Sequence, residues 1–200
     1  MNNLTFIFDI ETTGLFIRER NKKVDFKNLN NFDNCRIVSI SWIIIETDNT
    51  DNIIEKKNYY IKPDNFNVPQ ESINIHGLTN EFLLLNGISV HNVFEKLIDI
   101  FSTNTKNYII HIVSHNINFD INVLKSELYR YNYFNLLNIV ENTNIFCTML
   151  ESHKIMNMGK WPKLKEAYMY FYNKDIENAH QSEFDTLYCY QIYKKLISKN

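Results

Sequence analysis

Phe6-Ile7-Phe8-Asp9-Ile10-Glu11 is an apolar, β-forming run that carries two acids. Side chains alternate along a strand, so Asp9 and Glu11, two residues apart, share one face. Asp9 is embedded in hydrophobe, and a buried ionised carboxylate is costly unless it is paired or coordinates a metal. The run therefore predicts a strand and, for its acids, a partner. Further strands are expected at about 36–46 and 53–62, joined by the polar turn Thr47-Asp48-Asn49-Thr50-Asp51-Asn52. Three early strands in series, the first at about 4–11, suggest antiparallel pairing. Helices follow at about 79–86 and 90–102, then a short strand at 108–113, a helix at 117–131 and a fifth strand at 144–147. Pro162 is placed to open a helix whose core stripe is Leu164, Ala167, Tyr168 and Phe171, and the last helix is expected over about 180–197. This order predicts one domain, residues 1–200, built as a three-layer α/β/α sandwich around a five-stranded mixed sheet.

Two more acids show the same anomaly on helices. Leu124, Leu128 and Tyr131 form an apolar stripe that Asp120 continues one turn earlier, so Asp120 points inward. Cys189, Ile192 and Leu196 form a comparable stripe, and Asp185 precedes Cys189 by one turn on the same side. The four acids make sense together only if they meet in space.

Composition sets the class. A chain of 200 residues that is 44% hydrophobic can bury one large core, and no apolar stretch reaches the roughly 20 residues of a membrane helix. The start Met1-Asn2-Asn3-Leu4 offers no signal peptide, and three scattered cysteines, Cys35, Cys147 and Cys189, suit neither a disulfide framework nor a zinc site. The expectation is an intracellular protein of cytoplasm or nucleus with reduced thiols and no membrane contact. A net charge of −2 does not suggest a nucleic-acid binder, but its distribution is uneven. Arg18, Arg20, Lys22, Lys23 and Lys27, against Glu19 and Asp25, form a basic insert at 17–27, and Lys154, Lys160, Lys163 and Lys165 form a second basic stretch. Each is either a phosphate-holding rim or a solvated surface.

The motifs Asp9-Ile10-Glu11-Thr12-Thr13-Gly14, His115-Asn116-Ile117-Asn118-Phe119-Asp120 and His180 followed by Asp185 resemble, in order, the three exonuclease motifs of the DEDDh (DnaQ-like) 3′→5′ exonuclease family. Ile75-His76-Gly77-Leu78-Thr79 matches a further signature of that family, and the resemblance runs from residue 4 to about residue 196. One slot departs: Glu183 stands where the family commonly has a small or apolar residue.

The resemblance implies a ribonuclease H-like fold and a two-metal site for phosphodiester hydrolysis. Asp9, Glu11 and Asp185 would hold one divalent cation, Mg²⁺ or Mn²⁺, and Asp9 with Asp120 a second. Hard oxygen ligands suit these ions, and a pair of them can stabilise both the attacking and the departing oxygen of an in-line displacement. His180 would be the general base, kept neutral by the positive end of the last helix. On an ideal helix His180 and Asp185 point more than a quarter-turn apart, so the histidine should sit on the loop or first turn. Thr12, Thr13, His76, Gly77, Asn116 and Phe119 would contact the terminal nucleotide. His91, His111 and His153 are assigned to structure or surface, and His115 to the turn before the 117–131 helix. The implied substrate is a single-stranded 3′ end of DNA or RNA, with nucleoside 5′-monophosphates as products, and a polymerase or other replication protein is a further implied partner. The competing reading is a non-catalytic nucleic-acid-binding or polymerase-associated module of the same fold. Oligomeric state is not encoded in these motifs.

Overall fold

The computed structural model describes residues 2–101 and 107–198. Strand β1 (Asn2–Thr12) is central in a five-stranded sheet of order β3-β2-β1-β4-β5. It pairs antiparallel with β2 (Ile37–Glu46), which pairs antiparallel with the edge strand β3 (Ile53–Tyr60). On its other side β1 is parallel to β4 (Asn107–Ser114), and β4 is parallel to β5 (Asn144–Cys147). This is the mixed α/β sheet of the ribonuclease H-like fold, as the sequence leads one to expect.

The helices are α1 (Gln70–His76), α2 (Asn80–Asn86), α3 (Val90–Phe101), α4 (Ile117–Arg130), α5 (Phe134–Asn142), α6 (Thr148–Met156), α7 (Leu164–Tyr172) and α8 (Ser182–Ile197). Alternation along β1 separates the layers. Leu4, Phe6, Phe8 and Ile10 pack with Val93, Phe94, Leu97, Leu124 and Leu128 of α3 and α4, while Ile7 packs with Cys189, Tyr190 and Tyr193 of α8. Asp9 and Glu11 follow Ile7 at two-residue steps, so β1 delivers them to the α8 face near its C-terminal end.

Several elements differ from expectation. Helices α1, α5 and α6 were not anticipated. Helix α1 is bounded by Pro69 and by Gly77, whose φ of 77° is the left-handed conformation that ends a helix and favours glycine. Helix α7 begins at Leu164 rather than Pro162, because the Pro162 carbonyl accepts a bond from His115 Nε2 at 3.0 Å and stays outside the helix. Helix α8 begins at Ser182 rather than at 180, because His180 is left-handed with φ 63° and Gln181 is extended. Residue 102, the end of the expected 90–102 helix, lies outside the described residues. No helix among the described residues is long and apolar enough to cross a membrane.

One buried ion pair joins the two halves of the sheet's functional end. Arg36, at the start of β2, donates from Nε to Glu127 Oε1 of α4 at 2.6 Å and from an Nη to Oε2 at 3.2 Å, with a further bond to the Tyr131 hydroxyl at 2.8 Å. Its guanidinium also covers the Phe66 ring at 4.6 Å. The same residue closes the loop after β1: its carbonyl accepts from Thr13 N–H and its own N–H donates to Thr13 Oγ1, both at 2.9 Å. Arg36 thereby fixes α4, which carries Asp120, against the strand that carries Asp9 and Glu11. Removing one partner of such a pair strands a buried charge, so Glu127→Ala is expected to lower unfolding stability by about 3–5 kcal/mol in urea titration.

Candidate active site

Four carboxylates from three distant parts of the chain converge at the C-terminal end of β1. One carboxylate oxygen from each of Asp9, Glu11 and Asp185 lies within 4.8 Å of the others. Asp120, in the first turn of α4, lies outside this tight triad but close enough for its charge to act on Asp9 and Glu11. It is 3% exposed, and Ser114 at the end of β4 donates its hydroxyl to Oδ2 at 2.5 Å.

The electrostatics follow from burial and crowding. The Asp9 carboxyl is pushed well above the ordinary range by burial first, then by Asp120, Glu11 and Asp185. Glu11 is pushed up to about 8 by burial, then by Asp185 and Asp120. Burial raises Asp120 to about 7 against the opposing help of the Ser114 hydroxyl and the backbone N–H groups of Asp120 and Ile10. Asp185 rises to about 6, again through burial, with His180 opposing the shift. Four acids that all resist ionisation in one pocket are a site short of positive charge.

His180 is exposed and sits in the loop two residues before α8. Its backbone N–H donates to Asp185 Oδ2 at 3.1 Å, which fixes the left-handed turn beside the acid. The first turn of α8 is pinned to the sheet. Ser182 Oγ shares a 2.7 Å bond with Ser39 Oγ and donates to Asn58 Oδ1 at 3.2 Å. Glu183, the residue that departs from the resembled pattern, meets Lys56 of β3 at 3.1 Å. An acid is accommodated there because the slot faces the lysine of an edge strand.

The expected nucleotide contacts divide. His76 and Gly77 line, with Glu11, Asn58 and Ser182, a cavity of about 200 Å³ beside the acids. His76 Nδ1 accepts from Leu78 N–H at 3.0 Å, while Nε2 is buried without a hydrogen-bond partner. Burial lowers the His76 pKa against the opposing help of the Thr12 backbone, and the nearby His180 adds to the lowering. Thr12 and Thr13 are committed to the loop instead: Thr12 Oγ1 donates to Gly14 O at 2.7 Å and Thr13 Oγ1 to Asn34 O at 3.0 Å. Asn116 takes the left-handed conformation ahead of α4, and its side chain forms no cap. Phe119 is half-buried and stacks on Phe16 at 5.5 Å, which stacks in turn on Phe32 at 4.7 Å. Both ring nitrogens of His115 are occupied, by Thr148 Oγ1 and Pro162 O, and burial pushes its pKa down to about 4.

Sequence reasoning missed Ser114, Ser39 and Asn58, which carry no motif and acquire meaning only through strand register.

The two basic stretches differ. In the second, Lys154 pairs with Glu151 at 2.7 Å, Lys160 with Glu166 at 2.5 Å and Lys165 with Asp175 at 2.9 Å, so it is largely neutralised locally. In the insert, Arg18 and Lys23 have no carboxylate within salt-bridge distance among the described residues.

No curated protein sequence matches the chain significantly. Among solved structures, the fold is similar to exonuclease I in a structure described as suggesting how processivity is achieved, with TM-score 0.72 and 17% identity over 99% of this chain and 41% of that one. Escherichia coli exonuclease I bound to a dT13 oligonucleotide gives TM-score 0.71 and 18% identity, covering 99% and 41% of the two chains. The same enzyme with a dA16 oligonucleotide gives 0.68 and 17%, again over 99% and 41%. The present chain thus spans about two fifths of the length of these neighbours. The model of the exonuclease family typified by RNase T matches residues 6–193, and on that match over nearly its whole length the chain belongs to this family.

Proposed function

We propose that this domain is a metal-dependent 3′→5′ exonuclease that releases nucleoside 5′-monophosphates from a single-stranded 3′ end of DNA or RNA. The observation that carries the reading is the convergence of Asp9, Glu11, Asp185 and Asp120. The donor set fits a hard divalent cation: all ligands are carboxylate oxygens, three lie within 4.8 Å of one another, and Asp185 Oδ1 is buried without a hydrogen-bond partner. Asp9, Glu11 and Asp185 would hold one ion, and Asp9 with Asp120 a second. Bound there, Mg²⁺ or Mn²⁺ would supply the positive charge that offsets the developing charge on the attacking and leaving oxygens.

The chain's own residues do the rest. His180, exposed on its turn above Asp185, takes a proton from the attacking water. Asp185 holds that turn through the His180 backbone N–H, and the Ser39–Ser182–Asn58 cluster holds the helix behind it. Ser114 fixes the Asp120 carboxylate in one orientation. The cavity beside Glu11 has a size suited to one terminal residue, whose sugar would lie against His76 and Gly77.

Asp9→Ala is expected to abolish metal-dependent monophosphate release from labelled single-stranded DNA and RNA. His180→Ala should lower kcat by about 10²–10⁴ with metal affinity retained. Turnover of both oligonucleotides by Asp9→Ala at the wild-type rate would refute the proposal.

The raised carboxyl pKa values also fix a stability profile. Folded acids raised to about 6, 7 and 8 hold protons that the unfolded chain releases near 4, so their contribution to stability without metal is fully present below about pH 4 and is lost as pH rises through 6 to 8. Metal binds the ionised form, so the Tm gain on adding Mn²⁺ should be larger at pH 8 than at pH 5.5. A non-catalytic module that binds no metal would show no gain at either pH.

A further inference from the structure

The insert after the first acidic motif packs against α4 and the main core. Val24 and Phe26 pack against the main core, and Phe26 meets Tyr129 of α4 edge-on at 6.4 Å under cations from Lys27 and Lys125. Ile17 N–H donates to Asn31 O at 2.8 Å, and the Arg18 guanidinium lies over Phe16 at 5.2 Å. Between insert and helix is a cavity of about 570 Å³ lined by Ile17, Arg18, Lys23, Asn31, Asn118 and Asn122, among others. Of its acids, Glu19 meets Lys22 at 2.6 Å, while Asp25 Oδ1 accepts the Lys27 backbone N–H at 3.0 Å and keeps its charge, which leaves Arg18, Lys22 and Lys23 against Glu19 and Asp25 on the lining. Arg18 and Lys23 are exposed cations with no carboxylate partner among the described residues, and Ile17 is 57% exposed beside them.

We infer that this cavity is a second nucleic-acid subsite, which grips backbone phosphates of the single strand upstream of the cleaved bond through Arg18 and Lys23. The inference rests on the exonuclease reading above and names a strand-binding surface beyond the catalytic pocket. Asn118 and Asn122 share the α4 face turned away from Asp120, about one helix diameter, roughly 10 Å, from that acid. The backbone runs from Glu11 to Arg18 in seven residues, at most about 25 Å fully extended. A terminal mononucleotide cannot reach both places, whereas a longer strand can. Asn122 is buried and its amide donates to the Asn118 carbonyl and Oδ1 at 2.7 and 3.0 Å, so it shapes the wall, while the unpaired cations and the exposed Ile17 suit a phosphate and a base face.

The test measures binding of 5′-labelled dT12 and dT2 by fluorescence anisotropy in Ca²⁺ at several salt concentrations. Each single-strand phosphate contact contributes about 0.7 to the salt slope, so Arg18→Ala/Lys23→Ala should reduce the slope for dT12 by about 1.4. The same arithmetic gives a loss of roughly 25-fold in dT12 affinity at 0.1 M salt. Binding of dT2 should change far less. Lys154→Ala/Lys160→Ala removes the same formal charge from the paired stretch and should leave the dT12 slope as in the wild type. An unchanged slope in the Arg18/Lys23 variant, or an equal loss in both variants, overturns the subsite. Hydrolysis of dT2 by the wild-type protein in Mn²⁺ reports separately on the exonuclease reading, which can fail while the binding result stands.

Discussion

Four carboxylates in one partly buried pocket repel one another, and the architecture is organised around holding them together. Two unit charges at about 4 Å repel by something like 4 kcal/mol at an effective dielectric of 20. The chain answers with rigid placement: the acids lie on β1, α4 and α8, elements locked by a five-stranded sheet and helices on both faces. Arg36 and Glu127 tie α4 to the β1–β2 end, Ser114 orients Asp120, and Ser182 with Glu183 seats α8 on β2 and β3. Crowding that is unfavourable for the protein alone becomes preorganisation once divalent charge enters.

The same logic separates the two lysine-rich segments. Around α6 and α7 Lys154, Lys160 and Lys165 are matched by two glutamates and an aspartate, which makes a largely salt-bridged surface. In the insert, aromatic side chains fix the backbone while Arg18 and Lys23 are left facing a cavity. An acidic centre alone repels a polyanion, which is the physical ground for proposing a separate cationic subsite on the insert.

Much of this was legible in the sequence because it depended on local periodicity. Asp9 and Glu11 announced themselves as acids on one face of an apolar strand, and Asp120 and Asp185 as acids on core-facing helical stripes; each lies where the alternation or the helical turn puts it. The sheet was readable from strand runs with polar turns between them. What was not readable depended on tertiary context. Helix α5 carries three asparagines where strong helix formers would announce a helix, and it is held by burial of Leu136, Leu137 and Val140. Helix α6, with Met149, Leu150, Glu151 and Lys154, is short and its buried residues are the polar Thr148 and Ser152, so no apolar stripe marks it. The start of α8 moved two residues because the His180 turn is held by Asp185, a contact that only the folded site supplies. Thr13 bonds its hydroxyl to Asn34 and Arg36, partners more than twenty residues away that no local pattern announces.

The central claim, that these four acids form one centre for divalent cations, is tested most directly by anomalous diffraction from crystals grown with Mn²⁺ and a nucleoside 5′-monophosphate. The account predicts manganese peaks at two positions, one against Asp9, Glu11 and Asp185 and the other against Asp9 and Asp120. Manganese bound elsewhere, or Asp120 turned away from Asp9 with no peak between them, would contradict it.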